Sequence, residues 1–343
     1  MNILLTGGLG FIGSHTTVEL VNSGYNVIIL DDLSNSKKNI LDKIYKLCNK
    51  DKIFFFEGNI LNDNDLNEVM KLNINSIIHF AAFKSVNESI KKPLGYYYNN
   101  ICGLINILNK CKKFNINNFI FSSSATVYGK TESPLIEESQ IGIGITNPYG
   151  QTKFMAETIL QDLCNSNPNF NVICLRYFNP VGAHKSGLIG EDPNDIPNNL
   201  MPYVLRVAVK NNLNSNLASV YNELSIFGND YNTKDGTCQR DFIHVVDLAK
   251  AHVKSCEKIG EFNNYEVFNI GTGKGTSVLQ IVETFKEENK IKLPYKFMPK
   301  REGDNAITYC NCDKANKLLE WNAKYDIKDI CKDTYNFAKI NNK

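Results

Sequence analysis

The chain has 343 residues, of which 43% are hydrophobic and 22% are charged, and its formal net charge is +2. It contains no block of like charges, and no apolar run approaches the roughly 20 residues that span a bilayer, so nucleic acid and membrane partners are not expected. The ten cysteines are scattered without zinc-site spacing. We therefore expect reduced thiols, no metal and a cytoplasmic location.

The first fifteen residues, MNILLTGGLGFIGSH, combine a short apolar run with a glycine-rich turn. Residues 3–5 predict a buried strand, and residues 14–21 predict a helix. Between them Gly7 permits a tight turn, Gly10 lets the backbone approach a pyrophosphate, and Gly13 lets the helix pack on the strand. The helix N-terminus offers free N–H groups to the anion. The pattern predicts a dinucleotide site rather than an ordinary strand-to-helix turn.

A second apolar strand, residues 27–30, ends on Asp31. A carboxylate there would bind the adenosine ribose hydroxyls and repel a 2′-phosphate, which favours NAD over NADP. Strands then alternate with helices, with strands over 53–56, 76–80, 118–121 and 172–176, and helices over 63–72, 96–112 and 148–163. This alternation predicts an α/β protein with a doubly wound parallel sheet, a Rossmann fold, and ligands at the carboxyl ends of its strands.

Beyond residue 179 proline and glycine become frequent, and the alternation is lost. We therefore expect residues 1–179 to form the dinucleotide-binding domain and residues 180–343 to form mainly a smaller C-terminal substrate-binding domain. Segments near 240–275 are expected to return to the first domain. The Asn-rich stretch 211–222 predicts an extended surface loop.

Tyr149 and Lys153 stand four residues apart on a predicted helix and share one of its faces. Ser124 follows the fifth strand, at the edge of the sheet where ligands bind. A phenol with a pKa of about 10 is a poor base at neutral pH, and a nearby ammonium would favour the phenolate. Such a group removes the proton of an alcohol while hydride leaves the same carbon for NAD. The alternative is a surface tyrosine beside a solvated lysine, which does not account for Ser124 and the glycine turn.

Eight stretches carry a family resemblance: TGGLGFIGSH at the start, FIFSSSATVYG from Phe119, NPYGQTKFMAE from Asn147, LRYFNPVGAH from Leu175, GEDPNDIPNNLMPYV from Gly190, SIFGNDY from Ser225, RDFIHVVDLA from Arg240 and REGD from Arg301. In these stretches the chain resembles the extended short-chain dehydrogenase/reductase family, and within it the epimerases of sugar nucleotides. The resemblance covers essentially the whole chain, apart from the insertion near 211–222.

The resemblance implies an isomerase with permanently bound NAD. Tyr149 would take the proton of the sugar 4-hydroxyl while C4 gives hydride to NAD, and the 4-keto sugar would turn over before both return. UDP-galactose and UDP-glucose would interconvert, as galactose metabolism requires. Thr308 would leave room for the acetamido group of UDP-GalNAc and UDP-GlcNAc, provided that Tyr309 faces away. A homodimer is also implied, formed through the helices near 96–112 and 148–163.

The resemblance also assigns residues to the ligands. Ser124, Tyr149 and Lys153 would be catalytic. Cofactor-binding residues would be Gly7, Gly10, Phe11, Ile12, Gly13, Asp31, Asn35, Ser36, Asn59, Ile60, Phe80, Ala81, Ala82, Lys84, Asn99, Ser122, Tyr149, Lys153, Tyr177 and Phe178. UDP-sugar-binding residues would be Lys84, Ser124, Ala125, Thr126, Tyr149, Phe178, Asn179, Asn199, Leu200, Ser225, Ile226, Phe227, Arg240, Arg301, Asp304 and Thr308.

The chain departs from the family pattern at two positions. Asn59 stands where an aspartate often faces the adenine, although an amide oxygen can also accept a hydrogen bond from the adenine amino group. Phe242 stands where a tyrosine is common, which removes one hydroxyl.

Two other functions stay open. A sugar-nucleotide 4,6-dehydratase shares the fold and the first hydride transfer, but it needs an extra acid and base. Ala125 and Thr126, which follow Ser124, supply neither. An inactive NAD-binding scaffold is disfavoured because Tyr149 and Lys153 are both present.

Overall fold

The computed structural model describes residues 1–193, 199–212, 222–301 and 304–341. Strands in these ranges are, in chain order, β1 (Asn2–Thr6), β2 (Asn26–Asp31), β3 (Ile53–Glu57), β4 (Ser76–His79), β5 (Asn118–Ser124), β6 (Asn171–Tyr177), β7 (Asn179–Val181), β8 (Leu224–Phe227), β9 (Gln239–Arg240), β10 (Phe242–His244), β11 (Tyr265–Ile270), β12 (Thr276–Ser277), β13 (Tyr295–Met298) and β14 (Ile307–Thr308).

A parallel sheet is the centre of the molecule. Among the described residues seven strands build it, in the order β11-β6-β5-β4-β1-β2-β3. The chain runs outward in one direction from β1 to β3 and then crosses back to β4, so the carboxyl ends of β1 and β4 flank the point where ligands bind in such sheets. The inner strands β1, β2, β4, β5 and β6 are buried on both faces and consist of near-continuous apolar runs, as parallel sheets require, whereas the edge strand β3 is partly exposed. The predicted doubly wound fold is confirmed.

Helices cover both faces of the sheet. Their bounds are α1 (Phe11–Asn22), α2 (Asn39–Tyr45), α3 (Asp63–Met70), α4 (Val86–Lys91), α5 (Pro93–Tyr97), α6 (Gly103–Phe114), α7 (Pro148–Ser166), α8 (Leu200–Asn212), α9 (Val245–Lys258), α10 (Val278–Asn289), α11 (Asp313–Leu318) and α12 (Ile327–Asn341). No helix of the described ranges has the length and apolarity needed to cross a membrane.

The helix expected over 96–112 begins earlier and is not regular. It starts at Pro93, and a π-helical turn, Tyr98–Cys102, separates α5 from α6. An apolar repeat predicts the helix but does not reveal this wider turn, because the residues on either side keep helical spacing.

The second half of the chain adds smaller sheets beyond the carboxyl edge of the main one. They pair β7 with β10, β8 with β13, and β9 with both β12 and β14. A separate apolar cluster joins α8, α10 and α12. Within the segment 240–275, β11 joins the main sheet beside β6, and α9 packs on α1. Of the loop expected over 211–222, residues 211 and 212 end α8, whereas 213–221 lie outside the described residues.

A buried ion pair connects α7 to the main sheet. Glu157 on α7 accepts two hydrogen bonds from the Arg176 guanidinium on β6, at 3.0 and 2.7 Å. The same carboxylate accepts the hydroxyl proton of Ser123 on β5, and Arg176 also donates to the Tyr128 hydroxyl at 2.9 Å. Both charged side chains are nearly inaccessible to water, so each depends on the other for compensation. The network fixes the position of α7, which carries Tyr149.

Candidate active site

The glycine turn after β1 has the shape that close contact with a ligand requires. Gly7 has a φ of +70°, and a methyl group on it would lie 2.9 Å from the amide nitrogen of Ala81. A methyl group on Gly13 would collide with the Gly7 carbonyl. Only glycine fits at both positions, and the N-terminus of α1 therefore opens toward the carboxyl ends of β1 and β4. The turn thus has the close backbone approach that the predicted pyrophosphate site requires.

Asp31 ends β2 beside this turn. One carboxylate oxygen accepts the Leu9 N–H at 2.9 Å, and the other accepts the Leu33 N–H at 3.0 Å and the Ser36 hydroxyl at 2.7 Å. Burial raises the pKa of Asp31, and these hydrogen bonds oppose that rise. The carboxylate is thus oriented by its own loop, and its first oxygen keeps a free lone pair for a ribose hydroxyl.

A long groove runs from Asp31 past the glycine turn to Tyr149. It contains eighteen of the predicted cofactor residues: Gly7, Gly10, Phe11, Ile12, Gly13, Asp31, Asn35, Ser36, Ile60, Phe80, Ala81, Ala82, Lys84, Asn99, Ser122, Tyr149, Lys153 and Tyr177. Phe178 and Asn59 are absent from the lining. Phe178 is buried in a small apolar cluster with Tyr128.

The Asn59 amide is already engaged by the protein. Its oxygen accepts the Leu61 N–H at 2.7 Å, and its nitrogen donates to the Asp32 carboxylate at 2.9 Å. The amide oxygen keeps a second lone pair, so its predicted hydrogen bond from an adenine amino group stays a prediction. Asp32, which follows the end of β2, also lines the groove.

Tyr149 is the second residue of α7, at the mouth of the groove. The helix begins at Pro148, and the Asn147 side chain caps it by accepting the Gly150 N–H at 2.8 Å. This position places the phenol next to the positive end of the helix dipole, which favours a developing phenolate. The Ser124 hydroxyl, at the end of β5, hydrogen-bonds to the phenol. The structure thus brings together the two hydroxyls that the sequence singled out.

The surroundings of the phenol pull its pKa in two directions. Burial raises the pKa of Tyr149, whereas the hydrogen bond to Ser124 and the charge of Lys84 act to lower it. Lys84 lies in the loop after β4, so one cation that acts on the pKa of the phenol comes from outside α7.

Lys153 lies one helical turn after Tyr149 on α7. Its ammonium donates to the Ser122 carbonyl and, at 3.2 Å, to the Ser122 hydroxyl. It stands 6.0 Å from the centroid of the Tyr149 ring. Burial lowers the pKa of Lys153 to about 7, although Cys174 and Glu157 oppose this change. In this arrangement Lys153 secures the end of β5, directly before Ser124.

The π-helical turn provides the amide side chains of the groove. Asn99 lines the groove and donates to the Asn100 side chain at 3.0 Å. Asn100 accepts the Phe83 N–H at 2.9 Å and donates to the Thr152 hydroxyl at 3.1 Å. The turn therefore links the loop of Lys84 to the helix of Tyr149.

Short strand pairs bring the predicted sugar-nucleotide residues to the same edge. The Asn179 N–H donates to the Asp241 carbonyl at 2.9 Å, which places β7 beside the segment that carries Arg240. The Arg240 guanidinium donates to the carbonyls of Gln239 and Asn305, each at 2.8 Å, and lies 3.7 Å from Asp304. Arg240 is thus held by its neighbours while part of it remains accessible to an anion.

Thr308 and Tyr309 point to opposite sides of β14. Thr308 pairs directly with Arg240, so the two residues share one face of the small sheet. The Tyr309 ring covers Gly275 on the other face, where a methyl group would lie 3.4 Å from it. The register that the sequence left open therefore has Thr308, and not Tyr309, on the side of the predicted diphosphate site.

The remaining predicted substrate residues lie in the turn after Ser124, on β8 and at the start of α8. Ala125 and Thr126 form a 3-10 turn after Ser124, and the Thr126 hydroxyl is buried without a partner in the described part of the chain. Phe227 on β8 stacks under the Arg301 guanidinium at 3.9 Å, beside Ser225.

Leu200 begins α8, and Asn199 precedes it. Ile226, by contrast, is only 1% exposed within the core, so its side chain is not available to a ligand.

Sequence reasoning missed one side of the groove. Residues 190–193 border it, and two ion pairs attach them across it: Glu191 with Lys84 at 3.0 Å and Asp192 with Lys37 at 2.7 Å. Glu191 and Asp192 are more than 100 positions from their lysine partners in the sequence. Only the resemblance of the GEDPND stretch to the family pattern could have indicated them. No cluster of three or more metal-ligating side chains occurs in the described ranges.

Residues 3–271 match the NAD dependent epimerase/dehydratase family. The chain belongs to this family, as its sequence motifs suggested, and it is an NAD-dependent enzyme.

Individual relatives narrow the comparison to one kind of enzyme. The UDP-glucose 4-epimerase of Bacillus subtilis (strain 168) is 47% identical over 343 residues, which are 99% of this chain and 98% of the relative. The crystal structure of UDP-glucose 4-epimerase from Bifidobacterium longum in complex with NAD+ and UDP has a TM-score of 0.92 and 42% identity, and covers 99% of both chains. The UDP-Glc/GlcNAc 4-epimerase of Campylobacter jejuni has a TM-score of 0.82 and 34% identity, again over 99% of both chains.

The groove predicts that NAD copurifies with the protein. Denaturing the purified chain should release about one NAD(H) per chain and no NADP, because the Asp31 carboxylate would repel a 2′-phosphate. Enzymatic cycling assays specific for each nucleotide measure this ratio. Release of NADP, or full activity of nucleotide-free protein without added NAD, would contradict the prediction.

Proposed function

We propose that the chain interconverts UDP-galactose and UDP-glucose by oxidation and re-reduction at C4. The observation that carries the proposal is the Tyr149 phenol, hydrogen-bonded to Ser124 at the mouth of an NAD-shaped groove. The family and its full-length relatives support it. The test is to incubate the purified protein with UDP-galactose and measure the formation of UDP-glucose.

The residues present fit NAD. The glycine cradle and the N-terminus of α1 would hold the pyrophosphate, and Asp31 would hold the adenosine ribose. When bound, NAD supplies the acceptor for the C4 hydride and returns it.

Tyr149 moves the proton of the reaction. Its hydroxyl, paired with Ser124, takes the proton of the sugar 4-hydroxyl and later gives it back, so the phenol acts as base and then as acid. Ser124 orients the reacting oxygen. The helix dipole of α7 and the Lys84 charge stabilise the phenolate between the two steps.

Epimerisation further requires that the keto sugar turn over while the nucleotide stays in place. Arg240 and Arg301 would bind the diphosphate, and the Thr126 hydroxyl, which has no partner among the described residues, would bind the sugar. The turn after Ser124 has no carboxylate at Ala125 or Thr126, which argues against a 4,6-dehydratase.

Replacing Tyr149 by phenylalanine tests the assignment of the base. We expect kcat to fall by about 100- to 10,000-fold, because the proton transfer is lost, with NAD content and UDP binding retained. A coupled UDP-glucose assay and isothermal titration with UDP measure the two effects. Tyr45→Phe, on α2 away from the groove, is the matched control. A Tyr149→Phe enzyme within tenfold of the parent would rule out this role.

We also propose that UDP-GalNAc and UDP-GlcNAc are substrates. Thr308 shares a face with Arg240, whereas Tyr309 covers Gly275 on the opposite face. A threonine in this place leaves space for a 2-acetamido group, and a tyrosine would fill it.

Thr308→Tyr should therefore lower kcat/KM for UDP-GalNAc by about 10- to 100-fold while largely sparing UDP-galactose. Thr308→Ser serves as the control that keeps a small side chain. The ratio of the two rates is the measurement. A parent that leaves UDP-GalNAc unchanged, or a ratio unaffected by Thr308→Tyr, would exclude this specificity.

We propose a homodimer as the working assembly and the cytoplasm as its location. Residues 83–105 carry a row of exposed apolar side chains along α4, α5 and α6: Phe83, Val86, Ile90, Leu94, Tyr98 and Ile105. Leu94 alone is 81% exposed, and such a patch is typical of a protein interface. All ten cysteines are free and lie within the described ranges, which suits a reducing compartment.

Charge placed in this patch should dissociate the dimer. We expect Leu94→Glu to convert a dimer into monomers at micromolar concentration, because an unpaired carboxylate would be buried in the interface. Light scattering after size exclusion measures the mass. Leu318→Glu, at another exposed leucine on α11, is the control. A parent that is already monomeric would contradict the proposal.

A further inference from the structure

An ion pair joins the two walls of the cofactor groove. The Lys37 ammonium lies 2.7 Å from the Asp192 carboxylate, and both residues line the groove. Lys37 stands in the loop after β2, on the side of the main sheet. Asp192 belongs to the segment 190–193, which comes from the second half of the chain. The Lys37–Asp192 pair therefore spans the groove from one wall to the other.

The pair stands at the end of the groove that is predicted to hold the adenosine. Lys37 directly follows Ser36, whose hydroxyl donates to the Asp31 carboxylate at 2.7 Å. The Lys37 carbonyl accepts the N–H of Ile40, near the start of α2, at 3.0 Å. Backbone contacts thus hold the base of the lysine beside Asp31, far along the groove from Tyr149.

The opposite wall is anchored on both sides of Asp192. Gly190 pairs with Ala183 in a β-bridge, and the Pro193 carbonyl accepts a hydrogen bond from the Arg206 guanidinium of α8 at 3.1 Å. The segment is thereby attached to the second half of the chain, and the ion pair connects that half to the loop after β2. A cofactor that lies along the groove beneath this connection leaves only when the pair opens.

We propose that the Lys37–Asp192 pair is a latch, a reversible closure of the groove over the adenosine end of the bound cofactor. Both side chains are about half exposed, so the pair can break and re-form in water at little cost. Release of NAD requires the open latch, whereas chemistry at the Tyr149 end does not. The latch thus acts on cofactor exchange, a property separate from the proposed sugar chemistry.

Exchange of radiolabelled NAD measures the latch directly. Holoenzyme that carries labelled NAD is mixed with a large excess of unlabelled NAD, and the label that stays on the protein is followed by rapid gel filtration. Asp192→Asn keeps the size of the side chain and removes its charge. We expect the label to leave about two- to fivefold faster, which is the range that one exposed ion pair provides. Lys37→Gln should give a similar increase.

A charge-swapped protein separates a latch from two independent contacts. Lys37→Asp and Asp192→Lys together rebuild the pair with opposite polarity and should restore slow exchange. Each change alone should speed exchange, because it places two like charges together. If Lys37 instead binds a cofactor phosphate directly, the swapped protein would exchange as fast as Lys37→Asp alone, and this result would exclude the latch.

A neighbouring ion pair provides the matched control. Lys38 and Glu57 lie 3.0 Å apart with similar exposure, but neither of them lines the groove. Glu57→Gln should therefore leave the exchange rate unchanged. Sodium chloride at about 1 M should speed exchange more in the parent than in Asp192→Asn, because only the parent has the pair that the salt screens.

Two further results would overturn the proposal. One is an exchange rate that is equal in the parent and in Asp192→Asn. The other is slower exchange in Asp192→Asn, which would mean that the pair occupies space that the cofactor needs. Circular dichroism checks that each variant is folded. Exchange is measured without a sugar nucleotide, so its outcome does not depend on whether the protein interconverts UDP-galactose and UDP-glucose.

Discussion

The active site depends on the buried ion pair between Glu157 and Arg176. Neither charge reaches water, so each would be strongly destabilising alone, and together they require α7 and β6 to keep a fixed distance. Ser123 extends the same network to β5. Ser123 directly precedes Ser124, and Glu157 lies two helical turns after Tyr149. This pairing therefore fixes the spacing of the two hydroxyls to which we assign the proposed reaction. The chemistry at the surface of the groove thus relies on a charge pair beneath it.

Beside the residues predicted to bind the sugar nucleotide, one buried carboxylate holds the chain in place by accepting hydrogen bonds from backbone N–H groups. Asp241 accepts the N–H groups of Thr272 and Gly273, at 2.7 and 3.0 Å. Its own carbonyl accepts the Asn179 N–H, so the chain after β6 and the chain after β11 meet at this residue. The neighbouring Arg240 is therefore held close to the carboxyl edge of the main sheet. Short strands of two or three residues suffice here because these polar contacts complete them.

Local sequence patterns predicted the parts of the structure that local physics determines. The glycine turn, Asp31 at the end of β2, and Tyr149 at the start of α7 follow from chain conformation and periodicity, and the structure has each of them. Contacts between residues far apart in the sequence could not be predicted from local patterns. The Lys153 ammonium donates to Ser122, 31 residues earlier, because β5 ends beside α7. Glu191 lies more than 100 residues from the Lys84 that it pairs with, and the Asn59 amide nitrogen donates to Asp32, 27 residues earlier in the chain.

The π-helical turn determines what a one-residue deletion at this position would do to the chain. Such a turn holds one residue more than an α-helical turn, while the helix on either side keeps its direction. A chain one residue shorter within Tyr98–Cys102 would run as one continuous α-helix from α5 into α6 and would keep their packing. It would, however, have room for only one of the adjacent side chains of Asn99 and Asn100. Loss of a single codon here would therefore keep the helix but displace either Asn99, which lines the groove, or Asn100, which holds Asn99 and Phe83, so stability and cofactor binding can diverge in one step.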